Sequence, residues 1–447
     1  MRPYKVSHYL QISESVYQAA DGARLRLVLS GRTGALLHIP ERVSDALLRG
    51  EVPRSDDGAF DRLREAEVLV PEEEDELAAL VRRNLLASAD RSHVTFTLLP
   101  SSYCNMGCDY CGQSHSRGGM GQDAEDAAVA RVVTAMGRPE TKSVHVTWFG
   151  GEPMAAYPGV LRMSDALVAA ALARQVRYGA SIVTNGSLLS LARIRELHAR
   201  ARVRSLDVTL DGPPEVHDRH RPLLNGRGSF RHIAGTLREA LDDASLSGLR
   251  VRIRTNVDIR TAEHVEAYLD EMKRLGFDRP NVSFDLHEIY SWSNDVSAIE
   301  IEKQTFARWK VAWLLRMLRL GLPFTVVPAS RRPVVCVAVK DTDEVISSTG
   351  AIFACTEHPL VPKHERVDVL GTLADPPAQP RRRGSLRVFT ERVGNGEFPC
   401  HQCHIFGICG GACPKHWVDG NPACPDHKYN MQARLDIAAH QSGLILV

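Results

Sequence analysis

The sequence lacks any excess of charge: 55 Lys and Arg stand against 54 Asp and Glu, a formal net charge of +1 over 447 residues. No basic run stands out, so the electrostatic footprint of a nucleic-acid binder is missing. The cluster Arg381-Arg382-Arg383 reads as solvated loop. An uncharged apolar run long enough to cross a membrane is also lacking. The most apolar helical stretch, Phe306–Leu322, carries Arg308, Lys310, Arg316 and Arg319, and such cations are costly inside a bilayer. Its Phe306, Trp309, Trp313, Met317 and Leu320 recur at helical spacing, which predicts a core-packing helix. No continuous apolar segment opens the chain, so no signal peptide is read. No repeat of fixed period is evident. Finally, no cysteine is left over. All ten fall into patterned groups, three early and seven in the last quarter. Such groups suit a reducing interior better than a disulfide framework, and the expected location is the cytoplasm.

The early group is Cys104-x3-Cys108-x2-Cys111, within "SSYCNMGCDYCGQ". Short steps of this kind let one loop wrap a cubane iron–sulfur cluster. Three thiolates leave the fourth iron open to something other than protein. A zinc site with one distant ligand has the same spacing. Further on, "SVHVTWFGGEPM" ends an extended segment in Gly150-Gly151-Glu152-Pro153. Paired glycines let main chain approach a ligand closely, and Glu152 can accept from an ammonium. Thr184-Asn185-Gly186 follows an apolar run, and "VTLDGPPEVHDRHRP" spans Val208 to Pro222.

In this order the motifs resemble those of the radical SAM superfamily. The resemblance implies a [4Fe-4S] cluster on Cys104, Cys108 and Cys111, with S-adenosylmethionine on its open iron. Reductive cleavage of that sulfonium would give a 5′-deoxyadenosyl radical. It also implies that Tyr110, Gly150, Gly151, Glu152, Pro153, Thr184, Asn185, Thr209 and Arg254 hold the adenosylmethionine, with Thr209 standing where Ser is usual. The late cysteines run Cys336-x13-Gly350-x4-Cys355, Cys400-x2-Cys403-x5-Cys409-x3-Cys413, then Cys424. A zinc ribbon would account for Cys400 to Cys413 but leave the others idle. The whole pattern is similar to the SPASM module, which implies two auxiliary [4Fe-4S] clusters. Cys336, Cys355 and Cys413 would hold the first, and Cys400, Cys403, Cys409 and Cys424 the second. The first then has a position open to substrate, water or a carboxylate such as Asp341 or Asp343. Peptide epimerases of the superfamily use a spare Cys to return hydrogen, so the lack of one disfavours epimerisation and favours oxidation.

The expected fold class is α/β: a partial (β/α)6 barrel with a small N-terminal α+β domain and a C-terminal cysteine-rich SPASM domain. The domains are placed at 1–90, 91–320 and 321–447. In the first, Leu25–Leu29 and Ala35–Ile39 read as a hairpin, and "PEEEDELAALVRRNLLA" as a helix with Pro71 near its start. This region resembles the small leader-binding region ahead of the barrel in many peptide-modifying radical SAM enzymes; a plain structural extension fits as well. Strands are expected at Val94–Leu99, Val144–Phe149, Ser181–Thr184, Leu206–Leu210, Val251–Val257 and Val282–Ile289, with helices such as Phe230–Ala244 and Ala262–Leu275 between them. Such alternation implies parallel β/α units. Along the last three strands apolar and polar residues alternate, so one face is polar. That face either lines a ligand cavity or meets solvent as an open sheet.

The expectation for function is an oxidative peptide maturase forming a crosslink, such as a thioether or C–C bond, with Asp285 and His287 positioning substrate or removing a proton. The alternatives are a sulfatase-maturing, formylglycine-generating enzyme and a small-molecule radical oxidase or dehydrogenase. A non-catalytic electron carrier or peptide scaffold is the reading from another class. Expected partners are a peptide substrate with a leader and an electron donor such as flavodoxin or ferredoxin, with no nucleic acid and no membrane.

Overall fold

The computed structural model describes residues 3–54, 58–292, 294–379 and 381–447. Its centre is an α/β unit of six parallel strands: His93–Ser101, Ser143–Gly150, Arg177–Thr184, Val203–Thr209, Arg250–Val257 and Val282–Glu288. These are called the first to sixth barrel strands. Each lies on its sequence neighbour in parallel register, and helices including Gln122–Met136, Tyr157–Ala173, Leu191–Ala199 and Phe230–Asp242 connect them. The sheet does not close. The sixth strand ends it, and beyond the first strand it continues into Glu344–Ile346, Ala351–Phe353 and Val369–Thr372, making nine strands. The cysteine-rich half therefore shares one sheet with the barrel strands, across residue 320.

The alternation seen in the sequence sets the two faces. Leu206, Val208, Val251, Ile253, Val282 and Leu286 are buried in the main apolar cluster with residues of the surrounding helices. The intervening side chains form rows across the polar face: Asp207, Arg252 and Ser283 in one, then Thr209, Arg254 and Asp285 in the next. The helix Lys303–Leu320 packs Phe306, Trp313 and Met317 into the same core. No helix among the described residues is long and apolar enough to cross a membrane.

The N-terminal region pairs Arg24–Ser30 with Leu36–Pro40 as a hairpin. Here the structure differs from the sequence expectation at one point. Pro71 lies in a short strand, Leu69–Pro71, and the helix starts later, at Glu76, where the Asp75 carboxylate accepts from the Ala78 N–H. Asp is a far better N-cap than the preceding glutamates, which explains the shift. This region packs on the late cysteine loop: the His8 carbonyl meets His404 Nδ1 at 2.7 Å, and a Cβ on Gly407 would stand 2.4 Å from the Gly31 carbonyl. The last strand, Ile445–Leu446, pairs with Tyr17–Gln18, so both chain ends join one sheet.

Candidate active site

The loop carrying Cys104, Cys108 and Cys111 leaves the C-terminal end of the first barrel strand. Gly150 and Gly151 end the second strand beside it. A Cβ on Gly150 would meet the Ser101 carbonyl at 2.5 Å, and one on Gly151 the Tyr103 carbonyl at 2.6 Å. The close approach these glycines allow is thus to the cysteine loop's own backbone. Two bonds seal it, Gly151 N–H to Ser101 O at 3.1 Å and Glu152 N–H to Tyr103 O at 2.8 Å.

Glu152 is fully buried. Its Oε1 accepts from the Met154 N–H (2.9 Å) and the Thr184 hydroxyl (2.7 Å), and its Oε2 from the Asn185 N–H (2.7 Å). Burial raises its pKa, opposed by these same donors. A carboxylate has about four acceptor positions, so one remains for a further donor. Asn185 in turn points its amide at Cys104 Sγ (3.6 Å) and Asn105 Oδ1 (2.9 Å). The Gly-Gly-Glu-Pro and Thr-Asn-Gly motifs are therefore one hydrogen-bonded clasp on the cysteine loop.

The stretch Asp211 to Pro222 braces the loop from the other side. The Pro222 carbonyl accepts from Gly107 N–H at 2.9 Å. The Tyr110 hydroxyl donates to the buried Asp211, and it accepts from Arg221 Nη1 (2.5 Å) and Asn256 Nδ2 (3.0 Å). Asp211 Oδ1 also takes the Asn256 backbone N–H (2.6 Å). His217 is fixed as one tautomer: its Nδ1 accepts from the Asp211 N–H (3.1 Å), so Nε2 carries the proton toward Ser229 Oγ (3.0 Å). Arg254 bonds Asn256 Oδ1 (3.0 Å) and Asp285 Oδ2 (3.1 Å). Burial works to raise the Asp285 pKa, yet Arg254, His287 and Lys310 together hold it below the usual value. Thr209 lies beside Arg254 in register, and His287 faces Tyr290.

Cys336, Cys355 and Cys413 influence one another electrostatically, as do Cys400, Cys403, Cys409 and Cys424, and as do Cys104, Cys108 and Cys111. The four-cysteine set lines one small pocket with Ile405, Phe406 and Trp417. Burial is the largest influence on these thiols, and it pushes Cys108 and Cys400 up to about 12. Such thiols ionise only beside a bound cation or cluster. Among the described residues no three His, Cys, Asp or Glu stand close enough to hold a single ion; four thiols about one pocket are the donor type an iron–sulfur cluster takes. The residues fit that group.

Residues 98–243 match the model of the radical SAM superfamily. The chain carries a radical SAM domain. A serine-type anaerobic sulfatase-maturating enzyme of Klebsiella aerogenes is 24% identical over 368 residues, 76% of this chain and 85% of that protein. An uncharacterized protein of Synechocystis is 32% identical over 146 residues, 31% of this chain and only 35% of that protein. Among solved structures, native anSMEcpe with bound AdoMet and the Kp18Cys peptide aligns over 78% of this chain and 99% of its own, at TM-score 0.57 and 17% identity. That likeness shows a shared fold. A match to this superfamily implies, in general, adenosylmethionine and an iron–sulfur cluster, with radical chemistry of oxidoreductase type.

Sequence reasoning named Asp341 and Asp343 as carboxylates for the open auxiliary position, and the structure engages both elsewhere. Asp341 pairs with Arg387 at 3.0 Å. The buried Asp343 accepts from the Thr95 N–H at 3.0 Å, tying this segment to the first barrel strand. Glu357 is the carboxylate whose charge does act on Cys355 and Cys413, and on Cys111 as well, while Arg254 and Lys415 act on it. Its one sequence signal was its place two residues after Cys355. His416 is buried and packs edge-on against Tyr290 (4.5 Å) and Trp292 (4.9 Å).

Buried histidines give the protein an acid limit. Burial pushes His358 and His427 down to about 4 and His217 well below its usual value. A depressed folded-state pKa means the neutral ring is the stable one. The stability is whole above the unfolded value near 6.5 and falls as pH drops toward the folded value. His358, 2% exposed, alone is worth on the order of 3 kcal/mol by pH 4. Urea midpoints are expected to fall steadily from pH 7 to 4.5; a flat profile would contradict the assignment.

Proposed function

We propose that this chain is a radical SAM enzyme of the SPASM type that oxidises a side chain of a peptide or protein, in the manner of sulfatase maturation. Cys104, Cys108 and Cys111 would hold the adenosylmethionine cluster, Cys336, Cys355 and Cys413 a first auxiliary cluster, and Cys400, Cys403, Cys409 and Cys424 a second. The observation that carries the reading is Glu357, a carboxylate whose charge acts on Cys111 of the first thiol set as well as on Cys355 and Cys413. A substrate carbon beside it lies between a source of radicals and an acceptor of electrons.

The bound cofactors supply a radical that removes one hydrogen atom and an acceptor for the electron that follows. Loss of that hydrogen atom, one electron and one proton turns a seryl CH2–OH into an aldehyde. Around that carbon the protein's own groups are Arg254, Asp285 and Thr209 on the polar face, with Glu152, Thr184 and Asn185 steadying the cysteine loop. Arg254 orients Asp285, and the ionised Asp285 can take the proton. Asp285→Asn is expected to leave 5′-deoxyadenosine formation intact while oxidised product drops by about 10²-fold or more. Product at the wild-type level would remove Asp285 from the reaction.

The second reading is formation of a crosslink in a precursor peptide. It is favoured by the first auxiliary set, which has three thiols and no fourth Cys in the sequence to complete it. Leader docking on residues 1–90 and electron supply by a flavodoxin or ferredoxin belong to that reading. An aldehyde trapped by a hydrazine reagent supports the first; loss of two hydrogens with no trapped aldehyde supports the second.

A further inference from the structure

A cavity of about 630 Å³ lies where the sheet ends, between the sixth barrel strand, the helix Lys303–Leu320, the segment 323–332 and the turn at Asp426. Its volume is in the range of ligand pockets, and of its lining only Asp285 takes part in the steps described above. One wall is the strand itself, Val282 to Leu286. Among the described residues no further strand pairs with that edge. One outward group of the strand, the Leu286 carbonyl, accepts there from Lys310 Nζ at 2.7 Å. An open edge of this kind accepts a peptide as an added strand.

The walls favour one kind of peptide. Lys310, Arg331, Arg332 and Arg434 are the lining cations, against Asp285 and Asp426. Asp426 is shared by Lys310 (3.1 Å) and Arg434 (2.5 Å), and Asp285 is already paired with Arg254. Arg332 donates to a backbone carbonyl, that of Val335, at 3.0 Å. The wall therefore carries net positive charge. Pro323, Phe324 and Pro328, all partly exposed, give it apolar ground for alternate side chains. It is also wired to the site: Asp285 bonds Arg254, Arg254 bonds Asn256, and Asn256 bonds Tyr110 of the cysteine loop.

We infer that this cavity receives an extended, acidic stretch of the substrate peptide, which adds to the sheet beside Val282–Glu288 and so delivers the residue to be oxidised to Arg254. This rests on the reading of a peptide substrate. It makes a docking strand part of substrate choice, with acidic residues recognised by Arg331 and Arg332.

The test uses the full chain, reconstituted anaerobically, and fluorescence anisotropy of a labelled decapeptide of alternating Glu and Val. Two control peptides carry Lys in place of Glu, or N-methyl groups on alternate backbone nitrogens of the Glu–Val peptide. The Glu–Val peptide is expected to bind, and both controls to bind at least about tenfold more weakly, because they lose charge complementarity or strand hydrogen bonds. The double variant Arg331→Glu/Arg332→Glu is expected to lose about tenfold or more, and Arg331→Lys/Arg332→Lys to keep most of the affinity. Equal binding of the three peptides, no binding at all, or an unaffected Arg-to-Glu variant overturns the inference. Formation of 5′-deoxyadenosine by the wild-type protein, followed in parallel, separates that failure from failure of the radical reading.

Discussion

Glu152→Ala is expected to destabilise the protein by about 3–5 kcal/mol, before any cofactor is added. The carboxylate is fully buried and satisfies the Met154 N–H, the Thr184 hydroxyl and the Asn185 N–H. Deleting it strands three donors where water does not reach, and each costs about 1–3 kcal/mol. Glu152→Gln keeps the shape but sets an amide N–H against one of those donors, so a loss of about 1–3 kcal/mol is expected. Urea unfolding of the cofactor-free protein measures both. If Glu152→Ala unfolds at the wild-type midpoint, the clasp is not what holds the cysteine loop.

The second large effect concerns Asp211 and Arg221. Arg221 is buried, and its charge faces Asp211 and the Tyr110 hydroxyl. Burial opposes its charge, while Cys108, Tyr110 and Asp211 favour it, and the net result is a pKa well above the ordinary value. Asp211→Asn removes the compensating carboxylate and leaves a guanidinium in the interior. Breaking a buried pair in this way costs about 3–5 kcal/mol. The change also releases Tyr110 from its acceptor, so adenosylmethionine cleavage is expected to fall with stability. A double variant, Asp211→Asn with Arg221→Met, is expected to recover much of the stability because the stranded charge is gone. No recovery would show that the two residues act independently.

The strong periodic signals were legible in the sequence. All six barrel strands lie where alternation of apolar and polar residues put them, because one face must meet helices and the other must not. The cysteine spacings were legible too, since spacing along the chain survives in one dimension. What escaped is what depends on long-range pairing. The strand Glu344–Ile346 is three residues long, too short for a period, and belongs to the sheet because it meets Phe96 to Leu98 nearly 250 residues earlier. Glu152 was read as a hand held out to ligand, and most of its capacity goes to the clasp. The glycines before it were read the same way, and they approach the Ser101 and Tyr103 carbonyls instead. Glu357 lacks a motif of its own; only the fold brings its charge to bear on both Cys111 and Cys413.

The central claim is that the three early thiols seat an iron–sulfur cluster that cleaves adenosylmethionine. The most direct measurement is 5′-deoxyadenosine formation by anaerobically reconstituted protein given dithionite, alongside its iron content and that of Cys104→Ala/Cys108→Ala/Cys111→Ala. The account predicts 5′-deoxyadenosine from the wild type, none from the triple variant, and a loss of roughly a third of the iron, one thiol set of three. Wild-type protein that binds iron at the late cysteines yet forms no 5′-deoxyadenosine, or a triple variant that still forms it, would contradict it.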